Sequence, residues 1–303
     1  MSQPGPFPAA PRPAYSRVPI SVPVSSPLTQ ALAAAGAQGR AALIGYLPLG
    51  YPTRARSISA MRTIVAAGAD VVEVGLPYSD PLMDGPVIQH AAQRALAGGT
   101  RVRDVFGAVE AVVEAGAAAV VMTYWNPVLR YGVEAFAADL ARSGASGLIT
   151  PDLIPDEAGS WLAAAARHSL DPIFLVAPSS TDRRLAMTAA ACRGFVYVAS
   201  TMGVTGVRDQ VGGGAQELVR RARAVTDLPL CVGLGVSTGA QAAQVAGFAD
   251  GVIVGSALVR VLSEDPDPVR AEDRLRQVTL DLSAGVRQRP IEPGVRQRPE
   301  VDR

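Results

Sequence analysis

Residues 71–75 read Val-Val-Glu-Val-Gly, a short β-branched run with a single charge inside it. A nearly continuous apolar run of this length is typical of a parallel strand that is covered on both faces. Seven comparable runs occur along the chain, and alanine-rich segments with helical character separate them. The eight predicted strands are residues 42–47, 71–75, 118–123, 147–150, 173–176, 195–199, 230–233 and 251–254.

The helical segments between these strands decide the fold class. They are residues 58–67, 102–115, 133–143, 156–168, 182–192, 215–225 and 239–246. Eight strand–helix units within residues 28–284 match the size of an α/β protein of the (β/α)8 class, the TIM barrel. A doubly wound open sheet is the alternative, and it needs a glycine-rich turn after its first strand. Residues 46–52, Tyr-Leu-Pro-Leu-Gly-Tyr-Pro, are instead rich in proline, which favours the barrel.

Both ends of the chain are predicted to be tails outside the barrel. Residues 1–27 contain eight prolines and no acidic residue, and this composition does not support a packed core. At the other end the hexapeptide Gly-Val-Arg-Gln-Arg-Pro occurs twice, at 285–290 and 294–299. We therefore predict a disordered amino-terminal tail over 1–27, a catalytic barrel over 28–284 and a disordered carboxyl-terminal tail over 285–303.

The charge composition excludes several classes of function. All 28 basic residues are arginine, so mechanisms that need a lysine of the chain itself, such as Schiff-base aldol chemistry, are excluded. A net charge of +1 argues against a nucleic-acid or membrane-surface partner. The two cysteines, Cys192 and Cys231, form neither a disulfide framework nor a metal cluster, so we expect a cytoplasmic protein without a metal.

Glu73 is the strongest candidate for a catalytic residue. Alternation along the strand places Val72 and Val74 on one face and Glu73 with Gly75 on the other. If the valines face the helices, the carboxylate points into the barrel, where burial raises its pKa and suits it to acid–base chemistry. A structural carboxylate paired with an arginine inside the barrel is an equally good interpretation of the strand alone.

The loop after this strand brings a second carboxylate. Residues 76–86 contain Asp80, Asp84 and three prolines that restrict the backbone. Two carboxylates in different environments can take different roles in one reaction, although turn formation and helix capping are the common duties of aspartate in loops.

Glycines at the ends of the last two strands predict a phosphate site. Residues 233–237 read Gly-Leu-Gly-Val-Ser, and Gly255-Ser256 ends the eighth strand. Backbone N–H groups at such glycines and at a helix amino terminus bind anions without a lysine. The long glycine-rich loop 200–214 is either a lid over the site or a solvated loop without a gating role.

These motifs together resemble the tryptophan synthase α subunit family. Residues 72–86, Val-Glu-Val-Gly-Leu-Pro-Tyr-Ser-Asp-Pro-Leu-Met-Asp-Gly-Pro, are similar to its signature without a gap. Further similar blocks follow in order at 45–52, 122–127, 151–153, 203–206, 233–237 and 255–257. The resemblance covers residues 28–283 and implies a (β/α)8 barrel that cleaves indole-3-glycerol phosphate to indole and glyceraldehyde 3-phosphate.

The resemblance also implies roles for individual residues. Glu73 would be the general acid–base, and Asp84 would accept a hydrogen bond from the indole N–H. Thr205 would be the lid threonine, and Asp80 and Pro81 would contact the partner subunit. Positions that match the substrate pocket and its phosphate cradle are Tyr46, Tyr124, Tyr197, Gly206, Gly235, Gly255 and Ser256. His90 and His168 are expected to have no catalytic role, and Thr201-Met202 departs from the residues that often precede the lid motif of the family.

The partner implied by the resemblance is a β subunit that carries pyridoxal phosphate and uses the indole in tryptophan biosynthesis, within an α2β2 heterotetramer. This chain would then need no cofactor of its own. Two other functions stay open: a stand-alone lyase that releases indole, and a chain that acts mainly as an activator of its β subunit. Another phosphate-binding barrel is the fourth possibility, and the lysine-dependent indole-glycerol-phosphate synthase is disfavoured by composition.

Overall fold

The computed structural model describes residues 25–199, 213–233 and 235–288 of the chain. In these ranges one parallel sheet is surrounded by helices. Its strands are β1 Ala42–Pro48, β2 Val71–Gly75, β3 Ala118–Met122, β4 Gly147–Ile149, β5 Asp171–Ile173, β6 Leu175–Val176, β7 Val196–Ala199, β8 Leu230–Gly233 and β9 Gly251–Val254. All eight predicted strands are confirmed, the fifth as two pieces.

The divided strand closes the barrel. Strand β5 pairs with β4, while β6 pairs with β7, and the two pieces are separated only by Phe174. The sheet order runs β5-β4-β3-β2-β1-β9-β8-β7-β6, so one continuous segment of chain supplies both ends of the sheet. The (β/α)8 barrel is therefore confirmed, and the open doubly wound sheet is not found.

The helices of the described ranges pack around this sheet, most of them on its outer face. They are α1 Pro27–Ala37, α2 Arg54–Ala66, α3 Pro86–Ala97, α4 Asp104–Glu114, α5 Trp125–Tyr131, α6 Val133–Arg142, α7 Gly159–Arg167, α8 Asp182–Ala191, α9 Gly213–Arg223, α10 Gly239–Ala246, α11 Ser256–Glu264 and α12 Pro268–Arg287. The predicted helix 156–168 is wrong at its start. A 3-10 turn at Pro155–Glu157 comes first, and Ala158 leaves helical geometry before α7 begins.

Two buried clusters of side chains form the core. The larger lies between the sheet and the helices and contains Val72 and Val74. The smaller fills the barrel interior, where Ile44, Val71 and Val120 meet. Val72 and Val74 thus face the helices, as the alternation predicts, while Val71 and the other intervening positions face the barrel interior.

Both predicted domain boundaries fall inside helices. Helix α1 begins at Pro27, and its N-cap residue Ser26 donates a hydrogen bond to Asp171 Oδ2 at 2.5 Å. Helix α12 continues past residue 284 to Arg287, with Val286 completely buried. A Cβ at Gly285 would lie 2.1 Å from the Gly239 carbonyl oxygen, so the missing side chain lets α12 pack closely on α10. Residues 285–287 therefore belong to the barrel rather than to the predicted tail.

No helix within the described ranges is long and apolar enough to cross a membrane.

Candidate active site

Glu73 lies inside the barrel on β2, between Tyr46 of β1 and Val120 of β3 in the register of the sheet. Its side chain is completely buried, and neither carboxyl oxygen has a hydrogen-bond partner among the residues that the structure describes. The alternative interpretation of Glu73, a structural carboxylate paired with an arginine, is therefore wrong as far as the described residues are concerned. Burial raises the pKa of Glu73 from 4.5 to about 8, so the group holds a proton at neutral pH.

Asp84 is the second carboxyl group of the pocket, on the loop between β2 and α3. Burial raises its pKa from 3.8 to about 6, while a hydrogen bond from the Tyr124 hydroxyl works in the opposite direction. Asp84 does not cap the following helix, because the N-cap residue of α3 is Gly85 and no side chain makes a capping hydrogen bond there. The site thus holds one carboxyl group that is protonated near pH 7 and one that is ionised.

Two tyrosines face the barrel interior beside these carboxyl groups. Burial, and then the negative charges of Asp84 and Glu73, raise the pKa of both Tyr46 and Tyr197 well above 10. Each ring lies over a glycine of the next strand. A Cβ would lie 2.5 Å from the Tyr46 hydroxyl oxygen at Gly75, and 2.5 Å from that of Tyr197 at Gly233. Both phenols therefore stay neutral hydrogen-bonding groups whose positions depend on the missing side chains.

Three of the predicted phosphate-binding residues follow the last two strands of the barrel, β8 and β9. Gly255 is the N-cap of α11, and Ser256 is the first residue of that helix. Gly235 adopts a φ of 70°, a conformation that favours glycine. Thr205 and Gly206 of the predicted lid, and the departure at Thr201-Met202, lie outside the described residues.

The outer surface of the β2–α3 loop is exposed. Asp80 is exposed and accepts a hydrogen bond from Ser79 Oγ at 2.6 Å, while Pro81 is half-buried. The next two side chains are apolar, and Leu82 is 89% and Met83 49% exposed. Loop residues thus present an apolar surface directly beside the carboxylate of Asp84.

Two contacts beside this loop are not predicted by the sequence. Asp152, after β4, accepts hydrogen bonds from the Trp125 N–H at 2.9 and 3.1 Å. The Met83 N–H donates to the Tyr124 hydroxyl at 2.9 Å. In the sequence, Asp152 stands out only as part of the motif at 151–153, and a backbone donor in a loop gives no signal at all.

The two histidines of the chain lie away from these groups. His90 is in α3, edge-on to the ring of Tyr51, and His168 bonds to Glu134 at 2.8 Å. A metal site needs a group of at least three histidine, cysteine, aspartate or glutamate side chains, and the described ranges contain no such group.

A closed (β/α)8 barrel with two unlike carboxyl groups, one inside it and one on the loop after β2, defines the class of protein: a barrel enzyme. The chain belongs to the tryptophan synthase alpha chain family, whose model matches residues 32–287.

Individual relatives agree with this family. The chain is 64% identical over 251 residues to the tryptophan synthase alpha chain of Mycobacterium intracellulare, covering 83% of this chain and 91% of the relative. The alpha chain of Thermobifida fusca is 60% identical, with coverage of 86% and 97%. Among solved structures, Mycobacterium tuberculosis tryptophan synthase superposes with a TM-score of 0.82 at 61% identity, covering 86% of this chain and 98% of that one.

The contact between Gly75 and Tyr46 predicts a stability effect. Gly75→Ala places a methyl group within 2.6 Å of three atoms of the phenol, and overpacking of this kind costs about 1–3 kcal/mol. Tyr46→Leu removes the ring, so the double variant should lose clearly less than the sum of the single losses in urea unfolding. Gly107→Ala in α4, where the new methyl group meets nothing within 4 Å, is the control and should not destabilise the protein. Additive losses would show that the ring does not fill this space.

Proposed function

We propose that this chain cleaves indole-3-glycerol phosphate to indole and glyceraldehyde 3-phosphate, as the α subunit of a tryptophan synthase. The observation that carries the proposal is the buried carboxyl group of Glu73, which has no partner among the described residues and keeps its proton near neutral pH. A group of this kind can donate a proton to carbon and accept one from oxygen in the same turnover.

The proposed reaction uses both carboxyl groups in two steps. Glu73 first gives its proton to C3 of the indole ring, and the positive charge that develops at the ring nitrogen is stabilised by the ionised Asp84. The Glu73 carboxylate then takes the proton of the glycerol hydroxyl next to the scissile carbon–carbon bond. That bond breaks, its electron pair restores the indole ring, and the oxygen becomes the aldehyde of the second product. Glu73 ends protonated, as it began.

The remaining predicted residues would bind the substrate. Tyr46, Tyr124 and Tyr197 supply aromatic and hydroxyl surface around the two carboxyl groups. The phosphate would lie at the amino terminus of α11, where Gly255 is the N-cap residue and Ser256 offers a hydroxyl. Gly235, and Thr205 with Gly206, complete this proposed cradle.

The partner in this proposal is a β subunit that carries pyridoxal phosphate and consumes the indole within an α2β2 assembly. Asp80, Pro81 and the exposed Leu82 and Met83 offer a contact surface at the mouth of the barrel. Because this surface borders Asp84, a partner bound there would also exclude water from the reaction site.

The test is an indole-release assay of the full chain, alone and with its cognate β subunit. We expect slow cleavage by the chain alone and faster cleavage in the complex. Substantial cleavage that the β subunit leaves unchanged would favour a stand-alone lyase. Activation of the β subunit without any cleavage would make the chain an activator only and would refute the proposed reaction.

A further inference from the structure

Helix α1 closes the barrel interior at the amino ends of the strands. Leu28, Leu32 and Ala35 of this helix belong to the interior cluster and are buried. The helix packs against β1 and β3, and the Leu28 N–H donates a hydrogen bond at 3.1 Å to Ser146 Oγ, one residue before β4. Because the proposed reaction site lies toward the carboxyl ends of the strands, α1 lies beneath it.

A thin apolar layer separates α1 from Glu73. Inward and outward side chains alternate along β2, so Val71 is the one inward side chain of this strand between Glu73 and the amino end. The rest of the interior cluster is apolar apart from the thiol of Cys231. Water that entered this layer from the amino end would therefore come close to a carboxyl group that has no partner among the described residues.

One hydroxyl group fastens the start of α1 to the barrel. Ser26 Oγ accepts a hydrogen bond from the Thr29 N–H at 3.2 Å, which caps the helix, and donates one to Asp171 Oδ2 at 2.5 Å. Asp171 is the first residue of β5 and is only 1% exposed. Its other carboxyl oxygen lies 3.2 Å from Arg193 Nε, so the acceptor is itself held in place. We call Ser26, Asp171 and Arg193 the α1 clasp.

A glycine beside the α1 clasp lets the helix come close. Gly194 adopts a φ of 75°, and a Cβ at this position would lie 2.5 Å from Leu28 Cδ2 and 3.2 Å from Asp171 Oδ2. The first buried leucine of α1 and the acceptor of the clasp therefore meet at the same point of the backbone. A side chain at residue 194 would push the helix out of this position.

We propose that Ser26 and Asp171 are positioning residues, which hold α1 in the amino-terminal opening of the barrel and so keep water away from Glu73. Exclusion of water is what α1 contributes, because residues 27–37 contain no charged side chain. A carboxyl group in dry apolar surroundings keeps its proton, whereas hydration favours its ionised form. The inference rests on the proposed function, which requires a protonated Glu73 at the start of the reaction.

The test compares Ser26→Ala with the unmodified full chain, without substrate. Loss of the hydroxyl group frees the start of α1, so hydrogen exchange of the α1 amides should become faster. In an NMR titration of the Glu73 carboxyl group, entry of water should lower the pKa from about 8 by about one pH unit or more. The basic limb of the pH profile of kcat for cleavage should move to lower pH by the same amount.

The charges around Glu73 stay in place in this comparison. Burial is the cause of its raised pKa, and the substitution exchanges one uncharged side chain for another. The titratable groups around Glu73 and the start of α1 are Tyr46 on β1, Asp84 on the loop after β2, Tyr197 on β7, Cys231 on β8, and Asp171 with Arg193 beside Ser26. The neighbour of Glu73 on β3 is Val120, which carries no charge. A lower midpoint therefore reports the entry of water.

Two control variants separate this effect from a general loss of stability. Ser26→Thr keeps a hydroxyl group at the start of α1, so the Glu73 midpoint should return to about 8. Asp267→Ala removes the side chain that caps α12, an outer helix, through the N–H groups of Val269 and Arg270. This variant should lose stability without any change in the Glu73 midpoint, because α12 does not border the barrel interior.

The outcomes distinguish the role of the α1 clasp from the proposed function. An unmodified chain that does not cleave the substrate refutes the proposed function, while the NMR titration still decides whether the clasp keeps Glu73 dry. An unchanged midpoint in Ser26→Ala overturns the inference, whether or not the α1 amides exchange faster. Should Ser26→Ala fail to fold, Gly194→Ala reaches the same helix through Leu28 and must lower the midpoint for the inference to stand.

Discussion

Glu73→Gln should lower kcat for cleavage of indole-3-glycerol phosphate by about 10³-fold or more. General acid–base groups contribute about 10²–10⁴-fold each, and this one residue would act first as the acid and then as the base. Glutamine has the same shape, so the pocket, the tyrosines and the phosphate cradle should keep their arrangement. The loss should therefore appear in kcat, with little change in the binding of unreactive phosphate-bearing ligands.

Activation of the β subunit separates this loss from a structural one. The variant should still bind and activate its β subunit, since Glu73 is completely buried inside the barrel and is not part of the exposed loop surface. Glu110→Gln, an exposed carboxyl group on α4, is the control for the charge change and should cleave at the normal rate. Normal cleavage by Glu73→Gln would rule out its acid–base role and would direct attention to Asp84, the second carboxyl group of the pocket.

The barrel could be predicted because its signals are local. Each strand is an apolar run that needs no partner to be recognised, and the alternation of Val72, Glu73 and Val74 already gives the direction of the carboxylate. The carboxyl-terminal boundary of the barrel domain could not be predicted in this way. Gly285 looks like part of a polar repeat, and only the approach of α10 to α12 shows that a glycine is needed there.

The site shows the same division between local and long-range signals. Glu73 and Asp84 stand out as charges among apolar or proline-rich neighbours. The contacts around these two residues give no signal in the sequence, because such contacts depend on which strands are adjacent. Gly75 makes room for Tyr46 only because β1 and β2 pair in a register that sets Tyr46 opposite Glu73, two residues before the glycine. The hydrogen bond from Met83 to Tyr124 joins a loop to a strand end 41 positions away.

Glu73 should also make the protein less stable at neutral pH, and Glu73→Gln should remove this cost. The pKa of Glu73 is about 8 in the folded protein and takes its ordinary value of 4.5 when the chain unfolds. Below pH 4.5 both states hold the proton, so the residue adds no pH dependence there. Between pH 4.5 and 8 the unfolded state releases the proton and the folded state keeps it. The free energy of unfolding therefore falls by about 1.4 kcal/mol per pH unit from this group, and the fall stops above pH 8.

At pH 7 this difference amounts to about 3 kcal/mol, a large share of the stability of an ordinary domain. The measurement is urea unfolding of Glu73→Gln and the unmodified chain at several pH values from 4.5 to 8.5. The stability of the variant relative to the unmodified chain should grow across this range and then level off. Comparing the same two proteins at different pH cancels the constant cost of burying an amide. Glu110→Gln, which replaces an exposed carboxyl group on α4, is the control for the substitution itself and is unfolded in parallel. A flat difference for Glu73→Gln would mean that the carboxyl group is solvated or paired in the folded protein, and the protonated acid on which the proposed reaction begins would be lost with it.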